Sequence, residues 1–170
     1  MNAYDIGAQQ PVDHLDAGVE HILRRSGARP VSFRGVQICS AMSYTVGTPL
    51  WYEINLYRLQ DQSFVVDVRM FTKSDEDSDK FTVQHVASFD EAVSALEAYD
   101  AAADVRVNVA LDDPTASLAD LTFQALAVRA RVEEARAQYR GLVSQILSDL
   151  EQVSVEAAGG QRLVSHEMVA

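Results

Sequence analysis

The apolar positions after residue 117 step alternately by three and four. Leu118, Leu121, Ala125, Val128, Val132, Ala135, Tyr139, Leu142 and Ile146 keep this spacing through four heptads. That is the pattern of a coiled-coil seam. Asp149 breaks it and Val153 resumes it. Asp113-Pro114 reads as an N-cap followed by the first helical position. A helix over residues 115–152 would be roughly 57 Å long. A domain of about 100 residues has a radius of gyration near 13 Å, so it cannot easily cover such a helix. The seam is therefore expected to face a second helix, most simply that of another copy of the chain. The competing arrangement folds the helix back across its own sheet, bending at Gly141.

Upstream the period changes to two. In residues 51–59, Tyr52, Ile54 and Leu56 share a face. In residues 64–73, Phe64, Val66, Val68 and Met70 do the same. Opposed residues of an antiparallel pair lie on one face, so a three-residue loop, Asp61-Gln62-Ser63, would set Ile54 against Met70 and Leu56 against Val68. Glu53, Asn55, Tyr57, Asp67, Arg69 and Phe71 then take the other face. Before this hairpin, Val31 and Phe33 alternate in one phase and Val36 and Ile38 in the other. The change at Gly35 predicts a β-bulge there. Gly47-Thr48-Pro49 marks a turn. A fourth strand is expected over residues 81–87, with Phe81, Val83 and His85 inward.

Helical signals flank the strands. Leu15, Val19, Ile22 and Leu23 predict a helix over residues 13–26, capped by Asp13 and ended by Gly27. Ser88 and Glu91 form a capping box for a helix to residue 99 with Val93, Leu96 and Tyr99 inward. Val105, Val107, Val109 and Leu111 predict a short fifth strand. The fold class is α+β: an antiparallel sheet of four to five strands with packed helices and a long C-terminal heptad-patterned helix. The expected division is a loose arm over 1–12, an α+β domain over 13–113, the long helix over 114–153 and a mobile tail over 154–170.

Composition narrows the partners. The chain has 170 residues, a net charge of −11 and a pI near 4.6, which argues against general attraction to nucleic acid or anionic lipid. The charge is uneven. Residues 24–73 carry seven bases against three acids, a balance of +4, and residues 74–170 carry seven bases against eighteen acids, a balance of −11. No stretch approaches the roughly 20 apolar residues of a membrane span, and the N-terminus lacks the basic start and apolar run of a secretory signal. The single cysteine, Cys39, fits a reducing compartment. A cytoplasmic protein away from membranes is expected.

Candidate chemistry is sparse. Asp75, Asp77 and Asp79 resemble the opening of a calcium loop, but Lys80 and Val86 stand where glycine and glutamate are needed. The histidines His14, His21, His85 and His166 have no metal-ligand spacing. Cys39 with His85 could in principle form a nucleophile and base pair, although nothing links them in sequence. No catalytic residue, metal site or cofactor is expected. Trp51, Tyr57, Arg69, Phe71 and Lys73 interleave aromatics with bases on one sheet face, one way to stack a single strand of nucleic acid. The order of a four-strand meander and then a helix is loosely similar to that of Whirly-type single-strand binders, in element order alone.

The first reading is a non-catalytic assembly, adaptor or regulatory protein. It would self-associate, as a dimer or with a protein partner, through Leu118, Leu121, Val128, Val132, Tyr139, Leu142 and Ile146. The alternative is a single-stranded nucleic-acid binder using the basic and aromatic sheet face. A small enzyme of unknown type comes third.

Overall fold

The computed structural model describes residues 18–75 and 77–160, with residues 152–160 as helical backbone only. Five strands run in order along the chain: β1 Val19–Arg25, β2 Ala28–Met42, β3 Leu50–Leu59, β4 Phe64–Thr72 and β5 Lys80–Val86. They form one antiparallel meander in that same spatial order. Helix α1 spans Phe89–Ala98, a 3-10 turn spans Ala101–Asp104, and α2 spans Leu118–Gly160. The class is α+β, as expected.

The sheet curls until its edge strands touch at one corner. Ser26 N donates to Phe81 O at 2.9 Å, and Phe81 N donates to Ser26 Oγ at 2.9 Å. Both faces of the sheet therefore bury apolar side chains. On the convex side, Tyr52, Ile54, Leu56, Val66, Val68 and Met70 meet Ala92 and Leu96 of α1 and Ala135, Tyr139, Leu142 and Ile146 of α2. On the concave side, Leu23, Tyr57 and Val65 form a smaller cluster with Phe33, Leu59 and Val83.

This double burial corrects two expectations. Val31 and Phe33 sit on one face and Val36 and Ile38 on the other of a strand that is continuous through Gly35, so no bulge is needed there. The register instead slips between Gln37 and Cys39. Phe81, Val83 and His85 pair with Arg69, Asp67 and Val65, which puts them on the concave face, away from the helices. His85 is exposed.

The expected helix over residues 13–26 is corrected as well. Residues 13–17 lie outside the described residues, and Val19–Arg25 is strand β1. Ser26-Gly27 is the two-residue loop of a hairpin, since Arg25 pairs with Ala28. Gly27 has φ +70°, so the glycine read as a helix stop is a turn glycine. Gly18 has φ +59°, and a Cβ on it would lie 2.7 Å from the Gly35 carbonyl carbon. Glycine is needed there for both backbone sign and space.

In the β3–β4 hairpin the expected faces hold but the register moves by two. Ile54 pairs with Val68, Leu56 with Val66 and Tyr52 with Met70. Leu59 N donates to Ser63 O at 2.9 Å, so the three-residue loop is Gln60-Asp61-Gln62. Asp61 Oδ1 accepts from Ser63 N at 3.0 Å, and Gln62 takes φ +68°. An even shift preserves every face, so alternation alone could not detect it.

After α1 the expected fifth strand over residues 105–111 is irregular chain. Ser88 caps α1 as expected, accepting at Oγ from Glu91 N at 3.2 Å, while Glu91 Oε2 reaches back one residue past the cap to accept from Ala87 N at 2.9 Å. Helix α2 begins later than expected. Asp113 closes a turn by accepting from Thr115 N at 2.8 Å. The cap itself is Ser117, whose Oγ accepts from Asp120 N at 3.2 Å, while Asp120 Oδ2 accepts from Ser117 N at 3.1 Å. The predicted arm over 1–12 and residues 161–170 of the tail lie outside the described residues.

Candidate functional site

Helix α2 has 43 residues and a length near 65 Å, and only part of it meets the sheet. Ala135, Tyr139, Leu142, Val143 and Ile146 are buried. Of the residues predicted to form an intermolecular seam, Tyr139, Leu142 and Ile146 thus lie in the chain's own core. Val128 is buried, Leu121 and Val132 are half-buried, and Leu118 is 82 % exposed. The heptad spacing explains the gradation. A straight helix drifts about 20° per heptad against a 3.5-residue repeat. Over four heptads that is about 80°, so a row that faces the sheet at Ile146 has turned sideways by Leu118.

The overhanging half carries a second apolar row. Ala119, Phe123, Leu126 and Ala130 step by four, three and four. At about 100° per residue they lie opposite the row that meets the sheet. Phe123 is 78 % exposed and Leu126 58 % exposed. The signal was present in the spacing but was masked by the longer, more regular seam beside it. The chain before α2 runs along this half, held by Ala110 N donating to Gln124 Oε1 at 2.9 Å. Val107 and Leu111 of that segment are exposed.

The concave sheet face divides the residues predicted for nucleic acid. Trp51 and Phe71 stack with centroids 5.4 Å apart. Lys73 Nζ lies 5.3 Å from the ring centre of Tyr44 and 6.0 Å from that of Trp51. Arg69 points instead to two carboxylates, Glu53 at 3.1 Å and Asp67 at 2.8 Å. Its charge is therefore compensated on the same face. Tyr57 is buried between His21 and Phe33. Asp67 is fully buried, and its Oδ1 has no hydrogen-bond partner among the described residues. Burial raises its carboxyl above the usual range, while Arg69 pulls it down.

A second polar group ties the elements below the sheet. Tyr52 and Tyr99 hydroxyls donate to Asp104 Oδ2 at 3.0 and 2.8 Å, and Lys80 Nζ meets Oδ1 at 3.2 Å. Tyr139 donates to Leu96 O at 2.8 Å. Burial and the neighbouring Asp104 push the Tyr52 and Tyr99 phenols far up, so they stay protonated donors. Asp104 thus joins β3, β5, α1 and the 3-10 turn. Beside it a cleft of about 130 Å³ is lined by Leu50, Arg106, Arg131, Glu134 and Gln138 among others.

The nucleophile and base pair is not assembled. Cys39 is on β2 and opposes Leu56 on the convex side, whereas His85 is on the concave side of β5 and bonds Ser63 Oγ at 2.8 Å. Burial raises the Cys39 thiol to about 11, leaving little thiolate at neutral pH. The native protein should react with a thiol reagent at pH 8 at least tenfold more slowly than the urea-unfolded chain. Equal rates would show that Cys39 is open and activated.

In the acidic segment, Asp77 lies 3.8 Å from Arg106, and Asp79 Oδ1 accepts from Thr72 N at 3.1 Å. Residue 76 is outside the described residues, as are His14 and His166. Among the described residues no three His, Cys, Asp or Glu side chains gather as a metal site. No helix among them is long and apolar enough to cross a membrane. Comparison with protein families, with characterised proteins and with solved structures found no match to this chain.

Proposed function

We propose that this chain is a non-catalytic assembly protein whose working surface is the overhanging half of α2, and that it self-associates there. One observation carries the reading. Phe123 and Leu126 stand exposed on a helix that projects beyond the sheet. A contiguous apolar row of this kind marks a contact surface. The overlap available to a partner is only about four turns, so the contact should be of moderate strength and dissociate on dilution. The nucleic-acid alternative has Trp51, Phe71 and Lys73 together in its favour. It is the weaker reading, because Glu53 and Asp67 both pair with Arg69 and take that cation away from a ligand.

The test is solution mass by light scattering across a dilution series. The native chain should exceed the monomer mass at about 100 µM, a concentration at which a micromolar contact is saturated. Phe123→Asp combined with Leu126→Asp should run as a folded monomer, since neither side chain serves the chain's own core. A native chain that remains monomeric at that concentration overturns the proposal.

A further inference from the structure

Resting on that reading, we infer that the partner is a single second copy, whose α2 pairs antiparallel with the first across the Ala119, Phe123, Leu126 and Ala130 row. The row reads the same in both directions by size. Ala119 and Ala130 are its small ends, and Phe123 and Leu126 its large centre. Laid antiparallel about its midpoint, Ala119 of one copy faces Ala130 of the other, and Phe123 faces Leu126. Small ends let the helices approach, and the large pair fills the middle. A parallel pairing would instead oppose Phe123 to Phe123 and Ala130 to Ala130.

Charge favours the same orientation. Asp120 and Arg131 are eleven residues apart, close to three turns, so they share one edge of the helix beside the apolar row. In the antiparallel arrangement that edge meets the same edge of the partner, end for end. Asp120 of each copy then lies within an arginine's reach of Arg131 of the other. Asp120 is a dependable anion, because hydrogen bonds from the Ser117 hydroxyl and N–H hold its carboxyl below the usual range. Parallel pairing would set that edge against the opposite edge of the partner, so Asp120 and Arg131 of one copy would not meet those of the other.

The geometry also accommodates both domains. The shared row faces away from each copy's own sheet, and the two C-terminal halves project in opposite directions. The two sheets therefore sit at opposite ends of the pair. Such a contact is two-fold and closed, so it stops at two copies.

Site-directed disulfide formation tests the pairing in a Cys39→Ser background. Carrying Ala119→Cys and Ala130→Cys together, the chain should form a covalent dimer under mild oxidation. Each single replacement alone should not, because like positions are then about 16 Å apart along the axis. Arg131→Asp should weaken the dimer several-fold, and more so at low salt than at high salt. Cross-linking by either single replacement would overturn the antiparallel pairing. A native dimer in which the double replacement does not cross-link would overturn the face and register while leaving self-association standing. A native monomer would overturn the proposed function and this inference together.

Discussion

Ile146→Asp should abolish the folded state, whereas Phe123→Asp should leave it intact. Ile146 is 1 % exposed and packs in the main cluster with Tyr139, Leu142 and Leu56. An unpaired carboxylate there would be buried without a partner, a change that costs more than about 4 kcal/mol. Domains of this size are stable by only about 5–15 kcal/mol, so loss of the cooperative melt is expected. The milder Ile146→Ala should cost about 2–5 kcal/mol. Circular dichroism melts read both. The comparison separates two roles for one helix. Were the whole seam from Leu118 to Ile146 intermolecular, Ile146→Asp would yield a folded monomer with an unchanged sheet spectrum. Unfolding by Ile146→Asp with a normal melt for Phe123→Asp is the expected result.

Asp104→Ala should destabilise the chain by about 2–4 kcal/mol. The substitution removes the acceptor for both Tyr52 and Tyr99 and the counter-charge of Lys80. Tyr52 keeps only a 3.3 Å bond to Ala101 O. The Lys80 part of the loss is small, because that side chain is 42 % exposed and can turn to water. Most of the cost falls on the two phenols. Asp104→Asn, which keeps an acceptor oxygen, should therefore cost only about 1 kcal/mol. Urea denaturation of the two variants measures the difference. Equal losses would place the stabilisation in the ion pair with Lys80 and overturn the assignment to the tyrosines.

Local pattern was enough for much of this architecture. The 2-residue period of β3 and β4 specified which side chains share a face, because a strand has only two sides. Ser88 and Glu91 specified the start of α1 because capping is a contact within one turn. The spacing after residue 117 specified a long helix for the same local reason.

What failed was decided at longer range. Val19, Ile22 and Leu23 suit a helix face or a strand equally well. The choice of strand rests on β2 lying alongside and on the turn at Gly27. A sheet with one buried face would require Val31 and Phe33 to share a side with Val36 and Ile38, and Phe81 and Val83 to face the helices. Only the curl that brings Ser26 to Phe81 gives the sheet an apolar interior on its second side. Val105, Val107, Val109 and Leu111 alternate like a strand but have no paired strand beside them among the described residues.

The candidate surface shows the same division. Sequence by itself determined that α2 is long and carries apolar rows. Tertiary structure decided which row is consumed. Packing against the sheet takes Ala135, Tyr139, Leu142 and Ile146, and helical drift then turns Leu118 out of line. The row of Phe123 and Leu126 is left on the opposite side. A one-dimensional spacing records which residues share a helix face. It does not record what lies against that face, because burial is set by elements distant in the chain.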